Sequence, residues 1–103
     1  LIGYKYFNLT KSPDVVNTVF YNLNNTGALK LNTWYKADET WNRSPLYMHG
    51  FYVFPTRHEA RRYDIGDVTA KIFKVAYYDI TTFGTQNNER VFIARNMKIL
   101  GRA

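Results

Sequence analysis

The sequence predicts an α+β domain in which one short helix, about residues 56–65, packs on a curved and mostly antiparallel sheet. Three observations carry that prediction. DVTAKIFKVAYYDITTF (67–83) and RVFIARNMKIL (90–100) are rich in β-branched and aromatic residues, the composition of strands. ALKLNTWYKA (28–37) alternates with period 2, as a strand with one wet face does. The stretch Thr56-Arg57-His58-Glu59 has the spacing of a capping box, which starts a helix. Strands with mainly antiparallel partners and one helix define the class, and 103 residues make a single domain, 1–103.

The elements follow in chain order. IGYKYF (2–7) is short, aromatic and β-prone and stops at Asn8. KSPDVVNTVFYNL admits two readings: Ser12-Pro13-Asp14 is a helix start followed by apolar residues at helical spacing, whereas TVFYNL before NNTG reads as a strand and a turn. The expectation is a short helical turn passing into a strand. In 28–37 the wet face carries Lys30, Trp34 and Lys36. The polar loop DETWNRSPLYMH comes next, and long loops often carry sites. Phe51 to Phe54 reads as a buried strand with Phe51 and Val53 on one side and Tyr52 and Phe54 on the other; because neither side is polar, both faces need cover, or one lines a pocket. Pro55 stops its ladder. In the helix, Thr56 should accept from the N–H of Glu59 while the Glu59 carboxylate reaches back to the N–H of Thr56, and Gly66 is the expected left-handed cap. GTQNNE (84–89) is the turn that pairs the last two strands.

Composition narrows the function classes. Hydrophobic residues make up 46% and aromatics 17%, enough to bury a core. The absence of cysteine removes disulfides, thiolate zinc sites and a cysteine nucleophile, and favours an intracellular protein. There is no apolar run near the roughly 20 residues of a membrane span, so no membrane partner is expected. A net charge of +6 places polyanions first among partners, beside the alternative of a basic surface kept for solubility.

Standard catalytic signatures are missing. There is no GxGxxG, no GxxxxGK and no locally marked Ser-His-Asp set. His49 and His58 have no Cys or carboxylate at ligand spacing, so no metal site is expected. His49, before Gly50 at a strand entrance, is the better functional candidate of the two, against a hydrogen-bonded structural role. The cations are spread along the sequence. Arg57 and Arg61 share a helix face, and Arg62 lies about 100° round from Arg61. With Trp34, Tyr35, Trp41 and Tyr47 nearby in sequence, cations and aromatics together form the surface that single-strand binders use; the alternative is aromatics in the core and charges on an ordinary solvated face. Candidate binding residues are therefore Lys30, Trp34, Lys36, Trp41, His49, Tyr52, Arg57, Arg61 and Arg62, for a polyanion such as nucleic acid or nucleotide, without a cofactor.

Two resemblances add expectations. GFYVFPTRHEARRY (50–63) resembles the Gly-aromatic-x-Phe-x-Thr-x-x-Glu-Ala-x-x-Tyr signature of small domains of unknown function in phages, giant viruses and bacteria, some of them beside pentapeptide repeats. Ile2-Gly3-Tyr4-Lys5 and Ala94-Arg95-Asn96-Met97-Lys98-Ile99-Leu100 resemble further strands of those domains. The likeness implies a viral or phage accessory protein, in the infected cell or the virion, with viral or host proteins as further partners, and supplies no activity. More distantly, Gly50-Phe51-Tyr52-Val53-Phe54 with Ala60 and Tyr63, and Asn88-Glu89-Arg90-Val91-Phe92, resemble strands of poly(ADP-ribose) polymerases and related ADP-ribosyltransferases. That likeness implies NAD as cofactor, Tyr63 stacking on nicotinamide and Glu89 as the catalytic carboxylate. The His-Gly-Thr or Arg element of those enzymes has no counterpart here, so an NAD enzyme is the alternative to a non-enzymatic binder, as is a structural assembly subunit.

Overall fold

The computed structural model describes residues 1–18, 28–37, 50–63, 69–86 and 88–103. The chain is nearly all-β rather than α+β: a curled half-barrel of antiparallel strands carrying one helix of six residues. The strands are β1 (Ile2–Leu9), β2 (Val15–Thr18), β3 (Ala28–Lys30), β4 (Trp34–Lys36), β5 (Phe51–Val53), β6 (Ala70–Gln86) and β7 (Glu89–Arg102), with α1 (Arg57–Arg62) between β5 and β6. Their order in the sheet is β3-β2-β1-β6-β7-β4, and β5 pairs with β7.

Two corrections explain the change of class. Ser12 to Asp14 form a turn, not a helix, and Val15 enters β2 directly; its β-branched run is extended because β1 and β3 flank it on both edges. α1 is shorter than the expected 56–65. It ends at Arg62, and Tyr63 is already extended at φ −74°, ψ 113°. Gly66, the expected cap, lies outside the described residues, as do the loop 38–49 and the TVFYNL residues beyond Thr18.

The expected strand 28–37 is two strands with different partners. Asn32 takes a left-handed φ of 60°, its N–H donates to Ile99 O at 2.7 Å, and the chain leaves β2 for β7. The expected turn 84–89 contracts as well: β6 continues to Gln86, which pairs with Glu89. Register shifts at Lys74/Val75 and Ile80/Thr82 bend this long hairpin, as bulges do.

Curling brings β5 back to β1. Tyr4 and Phe54 exchange backbone bonds, each N–H donating to the other's O at 2.8 Å. The motif strand thereby joins β7 on one edge to β1 on the other, with apolar cover on both faces. Phe51 and Val53 point into the main core with Phe7, Phe73, Val75, Tyr77, Met97 and Ile99. Tyr52 and Phe54 face a second cluster with Ala60, Val91, Tyr4, Tyr6 and Tyr63.

Candidate functional site

α1 is held by the second cluster. Pro55 ends the β5 ladder, Thr56 is the N-cap, and its hydroxyl accepts from Glu59 N–H at 3.2 Å. Ala60 is fully buried, the small residue that lets the helix sit on Phe54. Tyr63 tilts against Phe54 (5.3 Å between centroids) and Tyr6 (6.1 Å). The Tyr6 hydroxyl donates its one proton to Ala60 O at 2.7 Å, with Tyr63 O also within reach at 3.2 Å, binding a carbonyl oxygen that a helix end leaves without an intrahelical partner.

Charge is segregated across this helix. On its β7 side, Arg90 binds Glu59 through two hydrogen bonds of 2.8 and 3.2 Å, and Arg62 Nε pairs with Glu89 at 3.0 Å. The Arg90 guanidinium holds the Glu59 carboxyl below its ordinary range, with the Thr56 hydroxyl assisting against burial. This diverts half of the expected capping box: the Glu59 carboxylate takes Arg90 and the Thr56 hydroxyl.

On the other side the helix overhangs the start of β6. There Tyr6, Arg57, Arg61, Lys71, Ile72 and Arg102 line a cleft of about 290 Å³, and no Asp or Glu is among its described lining residues. Arg57 lies over the Tyr4 ring at 5.5 Å and Arg102 over Phe73 at 6.0 Å, so aromatic faces hold two of the guanidinium groups. Among the described residues Arg57, Arg61 and Arg102 form no ion pair. Several cations around one concave surface, three of them without a counter-ion among the described residues, suit an anion with several oxygens, because guanidinium groups bind phosphate bidentately.

The nine candidate binding residues separate into groups. Arg57 and Arg61, four apart, meet in the cleft, while Arg62 turns to Glu89. Trp34 and Lys36 stand exposed on β4, and Lys30 is exposed on β3. Tyr52 is half-buried against the helix cluster. Trp41 and His49 lie outside the described residues. Of the two residues carried by the transferase likeness, Tyr63 is packed between Tyr6 and Phe54, and Glu89 is only 8% exposed and held by Arg62.

Several residues become visible only in the fold. Lys71 and Arg102, scattered in sequence, join the cleft, and Tyr6 fixes its helix. Lys5, at an inward position opposite Phe73, donates from Nζ to Tyr52 O at 2.8 Å, and burial lowers its pKa to about 8. An alternating strand gives no sign that one inward position holds an amine. No helix among the described residues is long and apolar enough to cross a membrane. The chain matches no protein-family model, no curated protein and no solved structure.

Proposed function

We propose that this protein binds a phosphate-bearing polyanion, nucleic acid or nucleotide, in the cleft between α1 and the start of β6, and does so without catalysis. The observation that carries the reading is that Arg57, Arg61, Lys71 and Arg102 all line one concave surface that has no Asp or Glu among its described lining residues. Among the described residues, Glu59 and Glu89 are engaged on the far side of the helix. A volume of about 290 Å³ lies at the lower end of ligand pockets, about 300–1,000 Å³. It fits one phosphate with its sugar better than a whole dinucleotide.

Binding is favoured over NAD chemistry by the state of Glu89. A catalytic carboxylate must reach the reacting sugar, and this one is buried against Arg62.

Fluorescence anisotropy with a labelled oligonucleotide tests the reading. Arg57→Gln with Arg61→Gln should weaken binding by about tenfold or more, since charge-assisted bonds contribute roughly 1.5–3 kcal/mol each. Lys11→Gln, which removes an exposed charge in the turn after β1, should change it little. Equal losses in both variants would reduce the cleft to general surface charge.

A further inference from the structure

The cleft opens at one end of an outward sheet face whose other end carries an exposed aromatic pair. On β6 the outward residues from the cleft onwards are Ile72, Lys74, Ala76 and Tyr78, because Phe73, Val75 and Tyr77 point into the core. Ala76 opposes Lys98 of β7 and Tyr78 opposes Asn96; in turn Lys98 opposes Trp34 of β4 and Asn96 opposes Lys36. Trp34 and Tyr78 therefore meet diagonally across β7. Their rings are T-shaped with centroids 5.0 Å apart, and Lys98 Nζ stands 5.1 Å from the Trp34 centroid.

These rings are exposed to an unusual degree for a sheet surface. Trp34 is 47% and Tyr78 51% exposed, although aromatic side chains of this size usually bury most of their area. Lys36, Lys74 and Lys98 flank them, and no acidic residue occupies an outward position among 72–78 of β6, 96–98 of β7 or 34–36 of β4. From Ile72 to Tyr78 the face runs about 20 Å at strand rise.

We infer that this face is a track for single-stranded nucleic acid, with a phosphate in the Arg57/Arg61 cleft and an unpaired base stacked on one ring of the Trp34/Tyr78 pair, the other ring bracing it edge-on. The inference rests on the cleft reading and narrows it. An exposed aromatic ring accepts any base face and lysines neutralise the intervening phosphates, the combination that sequence-tolerant single-strand binding needs. A duplex keeps its bases stacked on one another and has none to give to Trp34. Charge complementarity selects a polyanion, and the exposed ring pair selects the single-stranded form.

The test measures binding of labelled oligo(dT) and of a duplex of equal length by anisotropy across a salt series. Trp34→Ala should weaken oligo(dT) binding by about tenfold, leave the slope against salt unchanged because stacking releases no counterions, and leave duplex binding unchanged. Trp34→Phe, which keeps a ring, should restore most of the loss and shows that the fold is intact. Tyr78→Ala should act as Trp34→Ala does. If Arg57→Gln with Arg61→Gln weakens binding while neither aromatic variant does, the track is wrong and the cleft stands. If neither set matters, both fall; and equal affinity for duplex and single strand overturns the track.

Discussion

Gly3 of β1 and Val53 of β5 touch where the curled sheet closes, in a gap too narrow for a side chain on Gly3. A Cβ built there would overlap Val53 Cγ1 and stand 2.8 Å from both Phe54 O and Tyr77 Cε1. Two of these are a core side chain and a backbone oxygen, so little can yield. The closure depends on this glycine for space.

Gly3→Ala is accordingly expected to destabilise the fold by about 1–3 kcal/mol, the usual cost of overpacking, read as a lower denaturant midpoint. Gly84→Ala is the comparison: its added Cβ meets only Val91 Cγ2 at 3.8 Å, and its midpoint should move much less.

Lys5 makes stability depend on pH in the alkaline range. Its folded pKa is about 8 against 10.5 in the open chain. Between those values the unfolded chain holds the proton and the folded one does not, so the Lys5 contribution to stability rises with pH from about 8 to 10.5 and is flat below. Its full size is up to about 3 kcal/mol. Lys5→Met should therefore unfold at higher denaturant than the parent at pH 7, with the difference shrinking as pH approaches 10. A difference independent of pH would contradict the buried amine.

Glu59 acts in the opposite pH range. Its folded pKa is depressed, by Arg90 first, so the stability it contributes is present above the ordinary carboxylate pKa and is lost as pH falls through the folded value. Glu59→Gln should lower Tm at pH 7 by an amount corresponding to roughly 1 kcal/mol, since the pair is bidentate but lies at the surface. The two proteins should converge as pH falls through the folded pKa of Glu59.

Tyr6→Phe keeps the ring between Phe54 and Tyr63 and removes the hydroxyl that binds Ala60 O and Tyr63 O. The expected cost is about 1 kcal/mol. Hydrogen exchange should rise at the end of α1 more than in β6 and β7, because the lost contacts belong to the helix.

What was legible in the sequence is local. Period 2 in Phe51 to Phe54 assigns each side chain to the correct face, and the Thr56/Glu59 spacing marks the helix start. Long-range pairing was not legible. Ser12-Pro13-Asp14 begins a helix or a turn equally well by local rules, and the neighbouring strands β1 and β3 decide for a turn before β2. The break at Asn32 arises because β3 and β4 have different partners, which alternation within one stretch cannot reveal. The cleft cations come from α1, β6 and β7. Arg57 with Arg61 could be paired from helical spacing, but Lys71 and Arg102 join them only through the register of β6 with its neighbours. The outward pair Trp34 and Tyr78 depends likewise on β4 lying beside β7.

The central claim is that the cleft neutralises phosphates, and the slope of log affinity against log salt for oligo(dT) tests it most directly. Each phosphate contact on a single strand contributes about −0.7 to that slope. Arg57→Gln with Arg61→Gln should make it shallower by about 1.4 relative to the parent, while Lys11→Gln leaves it unchanged. An unchanged slope in the double variant, or no binding by the parent at low salt, would contradict the account.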